Sequence, residues 1–296
     1  MQQELNIELD AMRKALVIRN YAARTVETYV SLLKRFLLQL NKPVDEVRPA
    51  DIREWQYFLA DQKKISWSQF NQIVCSLKFY FRKVRCCEWP VEQIPFQRTR
   101  KRLPSILTKE EVAHLLATAA QGYVKHYAIL ATLYSTGIRL GEVVKLKIVD
   151  IDSTAMLLHI RQGKGGKDRH VPLSVHLLKI LRDYYRSCMV KPTTWLFPGA
   201  TSEKPMDPSG IQRMIAVVAL KAGITKPVSP HTLRHCFATH LLDNHTDLRT
   251  IQALLGHSTI KTTEVYLHIA TEHLKSVHNP LDHLPIAGVG SHGRRR

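Results

Sequence analysis

The stretch from residue 229 to residue 266 reads SPHTLRHCFATHLLDNHTDLRTIQALLGHSTIKTTEVY and predicts a pair of helices. Ser229-Pro230 begins the first helix, because proline suits the first helical turn. Asp247 begins the second helix and Gly256 ends it, since aspartate is a favoured N-cap and glycine a favoured helix end. A histidine follows Gly256 at once and a tyrosine follows nine residues later. The helix pair therefore places chemistry-bearing side chains at its ends.

Four side chains in this stretch are the parts needed to break a phosphodiester with a tyrosine nucleophile. His231 and Arg234 are three residues apart at a helix start, so they project together, and a helix N-terminus offers unpaired amides to a phosphate. His231 is suited to accept the phenol proton or to hold the phosphate, and His257 to donate to a phosphate oxygen. Tyr266 needs such a base or a cationic site, because a free tyrosine has a pKa near 10.

Two cations upstream complete this set. Arg139 lies in Ser-Thr-Gly-Ile-Arg-Leu-Gly-Glu, and with Arg234 it can clamp the non-bridging phosphate oxygens, because a guanidinium donates two parallel hydrogen bonds. Glu142, three residues later on the same helix face, is placed to brace that guanidinium. Lys164 lies between glycines at a predicted hairpin tip, where it can protonate a departing 5′ oxygen. Lys167 is the competing candidate for that role.

The histidines also invite a metal hypothesis. His231 and His235 are four apart on one helix, and His240 lies nearby. There is no His-Glu-x-x-His pattern, no paired carboxylate beside them and no cysteine ligand spacing. There is also no phosphate-binding Gly-x-x-x-x-Gly-Lys loop. We therefore expect no metal and no other cofactor.

Composition points to a nucleic-acid partner. The 296 residues suffice for two domains of ordinary size, and 43 basic against 25 acidic residues give a net charge of +18 and a pI near 9.8. So basic a chain usually meets a polyanion, although solubility alone is the alternative explanation. The five cysteines are irregularly spaced, and no signal peptide or membrane span is recognisable. We expect a cytoplasmic protein that binds nucleic acid and no membrane.

Residues 1–95 are predicted to be all-helical, with apolar residues at helical intervals in 25–40 and in the helix that carries Lys78 and Arg82. These two cations can contact phosphates, although a solvated face explains them equally well. Residues 96–104 have the composition of an inter-domain linker. The linker contains four basic residues, which fit a strap along the DNA backbone better than a nuclear address: Arg98, Arg100, Lys101 and Arg102.

Residues 105–284 predict a second domain, mainly helical with a small β section, so that the fold class is α+β. Thr108 and Glu111 have the spacing of a capping box, and the helix at 126–135 ends near a glycine. Two extended runs, 157–161 and 170–173, flank the glycine-rich tip as a hairpin. Residues 271–284 predict a helix that docks on a neighbouring protomer. Residues 285–296 predict a disordered tail.

Five motifs together resemble the tyrosine site-specific recombinases of the phage-integrase family, and most closely the Xer-like members. The motifs are Tyr-Ser-Thr-Gly-Ile-Arg139-Leu-Gly-Glu, Gly-Lys164-Gly-Gly-Lys-Asp-Arg-His-Val-Pro, Trp195-Leu-Phe-Pro, His231-Thr-Leu-Arg234-His-Cys-Phe-Ala-Thr-His-Leu and Leu-Leu-Gly-His257-Ser-Thr-Ile-Lys-Thr-Thr-Glu-Val-Tyr266. Thr25-Val-Glu-Thr-Tyr29 also fits the start of that family's core-binding domain. The resemblance covers about residues 5–280, and its lysine position falls on Lys164.

The resemblance implies a four-helix SAM-like core-binding domain and a catalytic domain that together clamp duplex DNA. It implies a 3′-phosphotyrosyl intermediate and a tetrameric synapse of this chain, with a second recombinase as an open alternative. No metal or ATP is implied, because the covalent link preserves the phosphodiester energy. Integration, excision and resolution stay open, as do two other functions: a topoisomerase-like nicking-closing enzyme and a non-catalytic DNA-binding regulator. From these motifs we expect neither the arm-binding domain of many phage integrases nor the added helix of integron integrases.

Overall fold

The chain forms two compact units, Met1–Lys101 and Arg102–Arg296. The computed structural model describes residues 2–40, 42–87, 91–98, 104–161 and 168–267. The predicted tail helix at 271–284 and the predicted disordered tail lie outside these residues. Each unit has its own hydrophobic core.

The first unit is helical wherever its described residues form regular structure, as predicted. Its helices are α1 Gln2–Ile18, α2 Ala23–Leu40, α3 Pro49–Tyr57, extended by a π-helical turn Phe58–Gln62, and α4 Trp67–Lys83. Apolar side chains from all four helices meet in one core, in which Phe36 packs edge-on against Trp55 with ring centroids 4.9 Å apart. Burial of such aromatic rings stabilises a small helical unit, because each removes a large apolar area from water.

The second unit combines seven helices with one small sheet in the part of the chain that is described. The helices are α5 Lys109–Ala120, α6 Val124–Thr136, α7 Leu140–Val143, α8 Val175–Ser187, α9 Pro208–Lys221, α10 Pro230–Asp243 and α11 Leu248–Leu255. The strands are β1 Ile151–Asp152, β2 Leu157–Ile160 and β3 Arg169–Pro172, antiparallel in the order β1-β2-β3. The predicted fold class, mainly α with a small β section, is confirmed.

Local signals predicted most helix ends correctly. Thr108 accepts from the Glu111 amide at 3.2 Å while the Glu111 carboxylate accepts from the Thr108 amide at 2.7 Å, which is the predicted capping box. Ser229 caps α10 and Asp247 caps α11 through their side chains. The hairpin is confirmed, with Leu158 opposite Val171. The sequence did not predict β1, because two residues carry no alternation pattern.

Three helices position the functional residues. α6 is buried on nearly every side and packs against both α8 and α10. A satellite cluster forms where α10 meets α11, and it consists of Ala238, Leu242, Ile251, Leu255 and Tyr266. The aromatic ring of Tyr266 is therefore part of the hydrophobic packing that holds these two helices together.

Gly137 ends α6 in a left-handed conformation with φ of +60°. A Cβ atom there would lie 2.2 Å from Cδ1 of Phe237, whereas a Cβ at Gly223, with φ of +65°, would meet nothing within 4 Å. We expect Gly137→Ala to destabilise the second unit by about 2–4 kcal/mol, since it adds overpacking to left-handed strain. Gly223→Ala should cost only about 1 kcal/mol. Urea unfolding midpoints measure both, and equal losses would contradict the clash.

Within the described residues, the helices are all too short or too polar to cross a lipid bilayer.

Candidate active site

Arg139 begins the site directly after the end of α6. It is the N-cap of the short helix α7, and its guanidinium reaches across to the chain that follows α11. Nη1 donates to Oε1 of Glu142 at 3.0 Å, and Nη2 donates to the carbonyl of Gly256 at 3.2 Å. The side chain is partly open to solvent, at 22% exposure. These contacts fix the guanidinium while leaving N–H groups available to a ligand, because a guanidinium has five.

Arg234 lies one turn into α10 and is only 4% exposed. Its Nη1 donates to the carbonyl of Gly137 at 2.7 Å, and its Nη2 donates to the carbonyl of Leu255 at 2.7 Å. Burial, together with the charge of Arg139, lowers the pKa of Arg234 to about 10. The side chain still carries its charge at neutral pH. We call Arg139 and Arg234 the arginine clamp.

Glu142 is the buried carboxylate of the site, at 8% exposure. It accepts from the Arg139 amide at 2.8 Å and from the Arg139 guanidinium, and both of its oxygens also accept from Arg169, at 2.9 and 2.8 Å. Burial acts to raise its pKa, but the hydrogen bonds and charges of Arg169 and Arg139 hold the pKa below its ordinary value. Glu142 is therefore ionised and joins two arginines.

Arg169, at the start of β3, was given no role from the sequence. It lies in the glycine-lysine motif, but nothing in that motif alone shows where its side chain points. Its side chain is 11% exposed, and its Nε donates to the carbonyl of Leu254 at 2.8 Å. Strand alternation could have predicted that Arg169 points inward, because residues 169 and 171 lie on the same face of β3 and Val171 is buried.

Tyr266 is almost completely buried, at 1% exposure. Its hydroxyl lies 3.1 Å from Nδ1 of His235, and its ring stacks nearly parallel to that of His257, with centroids 6.5 Å apart. Burial raises the pKa of Tyr266 above its ordinary value, although the charges of Arg234 and Arg139 act to lower it. The phenol is thus protonated at neutral pH, and it lies within reach of the charges of the arginine clamp.

The three histidines of the site have different surroundings. His231 is exposed at the N-terminal turn of α10, and desolvation by nearby protein atoms, with the charges of Arg234 and Arg139, lowers its pKa. His257 is partly buried, with Nδ1 2.9 Å from Oγ1 of Thr263, and burial lowers its pKa to about 4. Burial likewise lowers the pKa of His235 to about 4. His235 and His257 are therefore neutral at pH 7.

His235 is the second residue whose role the sequence did not indicate. It was considered only as a metal ligand, because it lies four residues after His231. In the structure it contacts the Tyr266 hydroxyl. The signal was available in the helical spacing, because residues 231, 234 and 235 share one face of α10.

The site carries excess positive charge. Among the described residues, Arg139 and Arg169 donate to Glu142, and the charge of Glu142 also acts on Arg234, so that three guanidiniums share one carboxylate. Such a net cationic site favours an anion, and it does so most when the negative charge grows, as in a phosphorane transition state. In the described part of the chain, no group of three or more histidine, cysteine or acidic side chains is arranged to hold a metal ion.

The predicted DNA-binding cations have varied environments. Arg98 is exposed, Arg82 pairs with Glu92, and Lys78 lies 4.7 Å from the centroid of the Phe96 ring. The others lie outside the described residues, as does the predicted catalytic lysine: Arg100, Lys101, Arg102, Lys164 and its competitor Lys167.

The neutral histidines predict a pH-dependent stability. An ordinary histidine has a pKa of 6.5, against about 4 for His235 and His257 in the folded chain. The unfolded chain therefore binds more protons between these values, and stability should fall as pH drops from about 6.5 to about 4. Urea unfolding across this range measures the effect. His235→Gln should reduce the slope of the unfolding free energy against pH. His114→Gln, on the exposed face of α5, is the control and should leave this slope unchanged. Equal slopes in the wild type and both variants would contradict the expectation.

Comparison with known proteins matches both units. Residues 105–273 match the Phage integrase family, and residues 9–91 match the N-terminal SAM-like domain of phage integrases. The two matches together cover most of the chain, and the first contains the arginine clamp, the three histidines and Tyr266.

Individual proteins that are similar to this chain are recombinases of the same kind. A tyrosine recombinase of Pseudothermotoga lettingae is 34% identical over 263 residues, which cover 86% of this chain and 91% of the relative. The tyrosine recombinase XerA of Pyrococcus furiosus is 33% identical over 271 residues, 90% of this chain and 91% of the relative. The XerH recombinase bound to its difH substrate has the same fold, with a TM-score of 0.68, 22% identity and coverage of 87% of this chain and 79% of that one.

Proposed function

This chain belongs to the phage integrase family and is a tyrosine recombinase, an enzyme that cleaves and rejoins DNA, and we propose that Tyr266 is its nucleophile. The arginine clamp binds the scissile phosphate. The observation that carries this assignment is the placement of all three side chains at the end of α11. Tyr266 packs in one cluster with Leu255, and Arg234 and Arg139 donate to the carbonyls of Leu255 and Gly256. A phenol beside two guanidiniums suits attack on a phosphodiester.

The proposed reaction exchanges one phosphodiester for another. The Tyr266 oxygen attacks phosphorus, the bond from phosphorus to the 5′ oxygen breaks, and a 3′-phosphotyrosyl link forms. The phenol proton passes to a base, and Lys164 supplies a proton to the departing oxygen. The 5′-hydroxyl of a partner strand then attacks the link and releases Tyr266. Because each step makes one ester as it breaks another, no metal or nucleotide is required.

The clamp stabilises the charge that develops on the non-bridging oxygens. Arg234 is held rigidly by two backbone carbonyls, so little reorganisation is needed when the phosphorane forms. His231, exposed at the helix N-terminus, holds the phosphate. His235 accepts the phenol proton, because its neutral ring already contacts the hydroxyl. His257, stacked on the Tyr266 ring, donates to a phosphate oxygen.

We propose that the protein binds a double-stranded DNA site. Residues 1–95 bind the duplex core, residues 96–104 lie along its backbone, and residues 105–284 carry the chemistry. The XerH and difH complex is a recombinase bound to a DNA substrate, and this chain shares its fold. We further propose a homotetrameric synapse in the cytoplasm, on nucleoid DNA, with 271–284 docking on a neighbour and 285–296 as a tail. A second, non-identical recombinase is the alternative to four copies of this chain.

A covalent-capture experiment tests the function. The Tyr266→Phe protein selects a duplex site from a random-sequence pool, and that site is rebuilt with a nick that traps the cleaved strand. The expected result is a DNA adduct of the wild-type protein that mass spectrometry maps to Tyr266 and that EDTA leaves unchanged. Two such sites on a plasmid should then recombine. Relaxation without exchange would indicate a topoisomerase-like enzyme, and binding without an adduct would indicate a regulator.

A further inference from the structure

We propose that Arg169 is a positioning residue that fixes the arginine clamp through Glu142 and through the α11 C-terminal turn, residues 254–256. This inference rests on the proposed function, because it assigns Arg169 to the same site. Arg169 acts on the clamp and does not itself bind the phosphate. Three sets of contacts support this role.

The first set joins the arginines through one carboxylate. Arg169 forms a two-pronged ion pair with Glu142, at 2.9 and 2.8 Å, and Glu142 in turn accepts from the Arg139 guanidinium at 3.0 Å. The Arg139 amide also donates to Glu142, so each carboxylate oxygen accepts from both arginines. Arg169 supplies two of the four hydrogen bonds described for Glu142, and it is the only one of the two arginines that contributes both through its fork. Arg169 therefore helps to fix the plane of Glu142, and Glu142 helps to fix the position of Arg139.

The second set lies at the end of α11. Three consecutive carbonyls there each accept from a different arginine: Leu254 from Arg169 at 2.8 Å, Leu255 from Arg234 at 2.7 Å and Gly256 from Arg139 at 3.2 Å. The last carbonyls of a helix have no partner within the helix, and they form the negative end of its dipole. The α11 C-terminal turn thus aligns the three guanidiniums and leads directly into His257.

The third set is steric. Gly256 has φ of +62°, and a Cβ atom at this position would lie 3.1 Å from Cδ and 3.2 Å from Nε of Arg169. The Arg169 stem therefore packs directly on the backbone of the turn. Loss of this side chain would remove the support beneath the carbonyls that hold Arg139 and Arg234.

Arg169 differs from the two arginines of the clamp in how many of its guanidinium nitrogens donate to the protein. Arg169 commits Nε, Nη1 and Nη2 to the protein, whereas Arg139 and Arg234 each donate through Nη1 and Nη2 in the contacts described. Since a guanidinium has five N–H groups, Arg169 has fewer of them left for a phosphate than either arginine of the clamp. Arg169 is therefore placed to position its neighbours.

The test compares Arg169→Gln and Arg169→Lys with Arg161→Gln, which breaks another arginine–carboxylate pair in the same unit, between Arg161 and the buried Asp150. The probe is the nicked duplex selected above, cleaved in a single turnover at saturating protein. We expect Arg169→Gln to cleave on the order of 100-fold more slowly, since misplacement by about 1 Å has this effect. Arg169→Lys should recover part of the rate, and Arg161→Gln should cleave at the wild-type rate.

The pH profile separates positioning from a general loss of structure. Arg169→Gln removes the strongest hydrogen bond and one of the two charges that lower the pKa of Glu142, and it leaves the burial that raises this pKa. As the pH is lowered, Glu142 should therefore be protonated at a higher pH in this variant than in the wild type. Cleavage by the variant should be lost at that higher pH, with a shift of one pH unit for each unit by which the pKa rises. Affinity for the same duplex, measured without cleavage, should stay unchanged.

Each outcome decides the question. Wild-type rate and pH profile in Arg169→Gln would overturn the inference, and so would a weaker affinity for the duplex, which would indicate direct DNA contact. Equal losses in Arg169→Gln and Arg161→Gln would also overturn it. If Arg169→Gln does not fold, Arg169→Lys gives the same comparison, with a wild-type rate and pH profile as the contrary result. Failure of the proposed function is distinct, because the wild-type protein itself would then form no adduct.

Discussion

Tyr266→Phe is expected to lose the covalent DNA adduct completely, with a fall in cleavage on the order of 10⁴- to 10⁶-fold. The ring stays in place, because phenylalanine fills the same space among Ala238, Leu242, Ile251 and Leu255. The variant loses only the hydroxyl and its contact with His235, which costs about 0.5–1.5 kcal/mol of stability. Denaturing gels that retain protein–DNA adducts measure the first effect, and urea unfolding measures the second.

The matched control for this variant is Tyr134→Phe. The Tyr134 hydroxyl lies 2.9 Å from Nδ1 of His240, so that this change also removes one hydroxyl paired with one histidine. We expect similar losses of stability in the two variants, but a normal adduct in Tyr134→Phe. An adduct that persists in Tyr266→Phe would move the nucleophile elsewhere and remove the basis of the proposed site.

Arg234→Lys is expected to slow cleavage by about 100- to 1000-fold although the positive charge is kept. A lysine is a point charge on a flexible stem, so it cannot bridge the carbonyls of Gly137 and Leu255 and still present a fork to phosphate. One of these carbonyls then lacks a donor, at a cost of about 1–3 kcal/mol if it stays buried. Single-turnover cleavage, measured where the variant is folded, gives the rate.

The control for charge-preserving replacement is Arg186→Lys. Arg186 is 75% exposed and pairs with Asp183 on the surface, and such pairs contribute little. The Arg186→Lys variant should cleave DNA at the wild-type rate. A wild-type rate in Arg234→Lys would show that the charge alone suffices, and the rigid fork would then have no part in catalysis.

Prediction from sequence worked best where the signal is local. The ends of α10 and α11 follow from Pro230, Asp247 and Gly256, each of which acts on the backbone within one turn. The end of α6 follows from Gly137 in the same way. The strand pair β2–β3 was predicted at nearly its observed bounds, because alternation and the glycine-rich tip act over a few residues.

Prediction failed where a contact depends on packing. Arg169 and His235 received no catalytic role, although both stand inside motifs that drew attention. A strand or helix pattern shows which face a side chain takes, but the group that it meets there belongs to another element. For Arg169 that group is the carboxylate of Glu142, and for His235 it is the hydroxyl of Tyr266.

The sequence by itself determined the candidate groups and their order: two arginines, one lysine, two histidines and a tyrosine. The arginines and these two histidines lie at or near helix ends that local residues specify. Only the tertiary structure decided how these groups are held. The Arg139 guanidinium meets a carbonyl 117 residues away, and Arg169 meets one 85 residues away. Such partners are set by how α6, α10 and α11 pack, and packing depends on the shapes of many side chains at once.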